Sequence, residues 1–155
     1  MSIPSIVVRE YNPSNGAFIG NVSALTFGNV PVGTHSPVKV IDLAFVGVAL
    51  VSNLRLALLG AGGIKVTDSP GSAGSDGSTS GGYFGVESSP SFIAKQTCTR
   101  HFRNSYEEEA NPTNAVAIGL RDANTVSNYI YLDVQLGDSN IGDLGGGYRV
   151  LFDYV

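Results

Sequence analysis

At 155 residues the chain is long enough for one domain with its own core, held without disulfides or metal. Hydrophobic residues make up 43% but charged ones only 14%, against about 25% in an average soluble chain. The surface is therefore expected to be built from Ser, Asn, Thr and Gly, or to be partly covered by other subunits. A net charge of −4, with nine scattered Lys and Arg residues, argues against nucleic acid as a partner, because phosphate binding needs clustered cations.

Residues 1–5, Met-Ser-Ile-Pro-Ser, carry neither a basic nor a long apolar stretch, so no export signal is expected. The longest apolar run, residues 43–51, is too short to span a bilayer, which takes about 20 residues as a helix. Short apolar runs punctuated by Gly, Pro, Asn and Ser predict strands throughout. The first is expected over residues 5–11, ended by Asn12-Pro13, and the next over 17–27, interrupted near Gly20-Asn21. Residues 38–46 place Lys39, Ile41, Leu43 and Phe45 on one face and Val38, Val40, Ala44 and Val46 on the other. Both faces are mostly apolar, as in a strand sandwiched in the core or at a subunit contact.

Residues 50–59 carry both a helical pattern, with Leu50, Leu54 and Leu58 at i+4, and strict alternation through Asn53-Leu54-Arg55-Leu56. The alternation and the neighbouring strands favour a strand, with Leu50, Ser52, Leu54, Leu56 and Leu58 sharing a face. A turn at 60–63 leads to a further strand at 64–67. Residues 68–82, almost entirely Ser, Gly and Asp, have too little apolar surface to offset their ordering entropy and predict a long flexible loop.

Beyond that loop, strands are expected at 82–86, 91–97 and 115–120, with a short helical turn capped by Ser105 and ended by Pro112. Residues 124–128 read as a connection into the strongest period-two signals in the chain. Over 129–136, Ile130, Leu132, Val134 and Leu136 oppose Tyr129, Tyr131, Asp133 and Gln135. Over 148–154, Tyr148, Val150, Phe152 and Tyr154 oppose Arg149, Leu151 and Asp153. A Gly-rich link at 137–147 predicts that the two runs form a closing hairpin.

Several motifs fall short of the chemistry they suggest. Gly60, Gly62 and Gly63 follow a strand, but Lys65 stands where a dinucleotide-binding turn needs its third Gly, and a strand rather than a helix follows. Cys98 and His101 have a ligand-like spacing, yet His35 is the other His, and zinc wants four ligands. Residues three apart in one strand point to opposite faces, which makes the same two a poor nucleophile and base. Asp138, Asn140 and Asp143 offer oxygen ligands in a loop, but without EF-hand spacing; Asx-turn chemistry accounts for them. No catalytic residue, cofactor or metal is expected. Tyr129, Tyr131, Tyr148 and Tyr154, where they face outward, are the candidate contact residues, because Tyr is favoured at interfaces.

Ala24-Leu25-Thr26-Phe27-Gly28-Asn29-Val30-Pro31-Val32-Gly33-Thr34-His35-Ser36, followed by Val38-Lys39-Val40-Ile41, resembles the opening strands of immunoglobulin-like domains of the Hydin and abnormal-spindle type. There a Phe-Gly-x-Val-x-Val-Gly turn precedes a strand. Residues 43–48 depart from that pattern, and the Gly/Ser loop has no counterpart in it. The low charge, the Ser/Gly loop and the runs Ser127-Asn128-Tyr129-Ile130-Tyr131-Leu132-Asp133 and Gly147-Tyr148-Arg149-Val150-Leu151-Phe152-Asp153-Tyr154 are similar to small structural proteins of tailed bacteriophage virions.

The expected fold is all-β: one antiparallel β-sandwich domain over residues 1–155, immunoglobulin-like or jelly-roll-like, with the flexible loop at 68–82. The resemblance implies a noncatalytic virion component of the neck, tail, baseplate or capsid surface, assembled in the host cytoplasm. Its partners would be other virion proteins or copies of itself, with no nucleic acid and no membrane. The alternative is a surface module that binds a receptor or glycan through its loops.

Overall fold

A computed structural model describes residues 4–31, 34, 36–60, 64–65, 80–87, 116–122, 125–135 and 146–155. Among these the chain is all-β and antiparallel in nearly every pairing, and two sheets pack as a sandwich without closing into a barrel.

β1 (Ser5–Tyr11) ends where Asn12-Pro13 breaks the ladder, since proline has no N–H to donate. The Asn12 side chain accepts the Ser14 N–H at 2.8 Å, and the Asn12 N–H donates to the Ala17 carbonyl at 2.8 Å, turning the chain into β2 (Phe18–Asn21). The strand expected over 17–27 is thus four residues long. Past Val22, whose N–H still donates to the Val8 carbonyl at 2.9 Å, the chain leaves the sheet edge, and Leu25 and Phe27 pack against the core.

β3 (Lys39–Val46) is the axis of the large sheet, with β1 along one side and β10 (Tyr129–Gln135) along the other. The order continues from β10 to β6 (Ser80–Glu87) and then to β5 (Ile64–Lys65), whose pairing with β6 is parallel. Residues 80–82, expected in the Gly/Ser loop, belong to β6, where Gly81 and Gly82 pair with the end of β10 and Ser80 pairs with Ile64. Residues 66–79, 88–115 and 136–145 lie outside the described residues. With them go most of the predicted loop, the strand at 91–97, Cys98, His101, the Ser105 turn and the Asp138 to Asp143 loop.

The small sheet is β11 (Gly146–Tyr154), β4 (Val51–Gly60) and β7 (Val116–Ala117), in that order. β10 and β11 are therefore not a hairpin: they stand in different sheets. The reason is their apolar stripes. Ile130 and Leu132 of β10 and Val150 and Phe152 of β11 bury the same core from opposite walls, as inner faces of a sandwich do. The strand expected at 115–120 is also divided. β7 pairs with β4, whereas β8 (Leu120–Asp122) pairs with β9 (Val126–Ser127) in the large sheet. The crossing falls at Ile118, whose N–H donates to Leu54 at 2.9 Å, and at Gly119, whose φ of 75° is open to glycine at little cost.

β4 forms, but its face shifts phase. Val51, Leu54 and Leu56 are buried while Leu50 and Ser52 are exposed. Leu151 pairs with Arg55 and Asp153 with Ser52, so Asn53 and Leu54 together oppose Phe152 alone. That is a β-bulge, and Asn53 takes the left-handed backbone it requires, with φ 51°. Two further serines complete ladders with their side chains. Ser127 Oγ accepts the Leu43 N–H at 2.8 Å, and Ser36 Oγ accepts the Val134 N–H at 3.0 Å. The core between the sheets is Ile41, Leu43, Phe45, Val51, Leu54, Leu56, Ile118, Ile130 and Leu132. Full burial of each such side chain contributes roughly 1.5–3 kcal/mol.

Candidate functional site

Two regions of the described structure concentrate side chains that could act on something. The first lies on the face of the large sheet turned away from the sandwich core. There β1 and β3 set Arg9 opposite Asp42 and Tyr11 opposite Val40, and β10 sets Tyr131 on the other side of Val40. Asp42 is 0% exposed in the middle of the central strand. A carboxylate so placed must be paired and hydrogen-bonded. Arg9 meets it as a fork, Nε to Oδ1 at 2.8 Å and Nη2 to Oδ2 at 2.7 Å. Arg121 Nη2 donates to Oδ2 at 2.9 Å, and the Tyr11 hydroxyl donates to the same oxygen at 3.0 Å.

The cations are themselves held. Arg121 donates through Nη1 to the Ser127 carbonyl at 3.0 Å, and its guanidinium lies 3.8 Å over the Tyr129 ring. Tyr129 meets Tyr11 edge-on at 5.2 Å, and Tyr11 meets Phe18 at 5.7 Å. The cluster ties β1, β2, β3, β8 and β10 together. Its hydrogen bond to Asp42 raises the Arg9 pKa, against the opposing effect of burial. Burial, reinforced by the Asp42 charge and hydrogen bond, pushes the Tyr11 phenol up to about 12. Two guanidiniums and a phenol thus converge on one buried carboxylate, and the cluster supplies electrostatic and packing contacts across the sheet.

The four predicted contact tyrosines do not share one surface. Tyr131 is 0% exposed beside Val40 and presents no surface, so it leaves the candidate set. A central position in the sheet buries its side of β10 as well as the core side, which alternation within one strand does not reveal. Tyr129 is half-buried under Arg121. Tyr148 and Tyr154, on β11, are 36% and 42% exposed. The structure does not bring the two pairs together, because β10 and β11 belong to different sheets.

The second region gathers where β3 ends, β4 begins and β11 ends. Val155 exchanges backbone bonds with Leu50, and its carbonyl also accepts the Ala49 N–H at 2.8 Å. Exposed Val46, Leu50, Tyr154 and Val155 collect there, with Tyr154 packed at 5.9 Å on Phe152, which in turn packs on Phe45 at 5.1 Å. The chain matches no family model, no curated protein and no solved structure. What it does is therefore read from these two regions. No helix among the described residues is long and apolar enough to cross a membrane, and those residues hold no group of three or more His, Cys, Asp or Glu that could bind a metal ion.

The Asp42 cluster was not among the predicted sites. Its signal was present as a lone acid in Val40-Ile41-Asp42-Leu43-Ala44, a strand apolar on both faces, where a charge requires a partner. Which arginines would supply it depended on strand register.

Proposed function

We propose that this chain is a noncatalytic structural subunit that acts through protein–protein contacts, as a component of the neck, tail, baseplate or capsid surface of a bacteriophage virion. The observation that carries the reading is the exposed apolar group at one end of the sandwich, Val46, Leu50, Tyr154 and Val155, the last 81% exposed. Phe18 and Ile19 on β2 are exposed as well, at 56% and 58%, but this end of the sandwich holds four such residues, and apolar side chains gathered in one place mark a contact site more often than scattered ones do. The virion assignment draws on the likeness of residues 127–133 and 147–154 to small virion proteins. Assembly would then take place in the host cytoplasm, with other virion proteins as partners.

Cosedimentation of the purified chain with purified particles or tail and capsid precursors tests the reading. Binding that is weakened by Leu50→Asp, with the fold intact by circular dichroism, supports it. Absence of binding to every particle form, in a chain that also does not self-associate, overturns it.

A further inference from the structure

The turn between β1 and β2 carries a chemistry that the contact reading does not use. Asn15-Gly16 is the only Asn-Gly pair in the chain. It lies beyond the Tyr11 end of β1, whereas Val46 of the exposed apolar group pairs with Ser5 at the other end. Asn15 is exposed, and its Oδ1 accepts the Ala17 N–H at 2.9 Å. A side-chain carbonyl bonded to the amide two residues on folds back over the peptide between them. The Asn15 Cγ is thereby held beside the Gly16 nitrogen, and the accepted hydrogen bond draws electron density from the Cγ carbonyl. Gly16 takes φ 75° and brings no Cβ to crowd an approach to its nitrogen.

We propose that Asn15 is a site of spontaneous deamidation, through a cyclic imide formed with the Gly16 nitrogen. Hydroxide removes the Gly16 amide proton, and the nitrogen attacks Cγ. The new N–Cγ bond closes the ring while the Cγ–Nδ2 bond breaks, and the amide leaves as ammonia with a proton from water. A second water then opens the imide. Opening at Cγ gives aspartate, and opening at the main-chain carbonyl gives isoaspartate. The Gly16 N–H donates to the Asn12 carbonyl at 2.7 Å, so its proton leaves only when that bond opens. Opening at an exposed turn tip costs little free energy, and it sets the rate. The two products differ for the fold. Aspartate keeps an oxygen where Oδ1 accepts the Ala17 N–H. Isoaspartate routes the main chain through Cγ, so Asn12 can no longer bond Gly16 and Ala17 in one geometry, and Phe18 loses its placement 5.7 Å from the Tyr11 ring.

Peptide mass mapping of the folded chain, aged at neutral pH, should find position 15 converted about tenfold or more faster than any other Asn. Raising the pH by one unit should speed the conversion about tenfold, because the attacking species is the deprotonated amide. Asn15→Gln should stop it, since the same attack would close a larger and less favourably oriented ring. A methyltransferase specific for isoaspartyl carboxylates should label the aged chain and leave aged Asn15→Gln unlabelled. In the labelled fraction the Gly16 and Ala17 amides should lose hydrogen-exchange protection while those of β3 keep theirs. Conversion of another Asn first, a rate indifferent to pH, or conversion seen only after unfolding in urea would each overturn the proposal. A converted chain that takes no methyl label, or whose turn amides stay protected, overturns the break in the turn.

Discussion

Asp42 and Tyr154 both belong to strands of alternating character, yet the carboxylate is sealed from solvent and the aromatic ring is 42% exposed. Position in the sheet accounts for the inversion. Asp42 sits on a central strand, where β1 and β10 bring cations and rings to it from both sides. Tyr154 sits on β11, which among the described residues has a neighbour on one side only. Burial in this protein follows sheet position first and residue polarity second. A buried charge is tolerated where its neighbours are arranged to meet it.

The largest effect expected from this contrast is at the two tyrosines the sequence treats alike. Tyr131→Ala should lower unfolding stability by about 3–5 kcal/mol in urea denaturation, as loss of a large buried ring does. Tyr154→Ala should stay within about 0.5 kcal/mol and act on self-association instead. Equal losses would dissolve the distinction between centre and edge. Next, Asp42→Ala should cost about 3 kcal/mol, because it leaves two guanidiniums and a phenol facing one another without their common acceptor. Asp153→Ala, at an exposed position of β11, should barely move the denaturation midpoint.

Smaller again is Gly119→Ala, at the crossing between sheets. Its φ of 75° strains any other residue, and the added carbon would lie 2.9 Å from the Asn128 Nδ2, which is committed to the Ile118 carbonyl. A loss of about 1–3 kcal/mol is expected. The smallest effect is at high pH. The Tyr11 phenol is pushed from its ordinary value near 10 up to about 12 in the fold. The unfolded chain therefore releases this proton first. The associated stability is fully present below pH 10 and is lost as pH rises toward about 12. Tyr11→Phe should flatten that part of the stability profile, and an ultraviolet titration should show one phenol fewer ionising late.

Much of the strand content was legible because it depends on local alternation. Residues 5–11 match β1 end to end, and 38–46 match β3 to within a residue. What alternation could not carry was anything set at long range. The phase change in β4 arises from one left-handed residue, Asn53, held by the pairing with β11, by its amide on Asp153 and by Arg55 Nε on its carbonyl. The division of β10 and β11 between sheets depends on which apolar stripes meet across the core. The Asp42 cluster required three distant segments to be in register before Arg9, Arg121 and Tyr129 could be seen as neighbours. The outward tyrosines were legible as a class, but not which of them the sheet would cover.

The position of β3 also sets an order of events. β1 can reach it as soon as the first third of the chain exists, and the Arg9 fork on Asp42 can close then. Its other flank waits for residues such as Ser127, which lies 84 positions beyond the Leu43 amide it receives. Pairings of that span raise contact order and slow folding. During synthesis the hydrophobic spine of the large sheet is therefore left with one side open until most of the chain has been made.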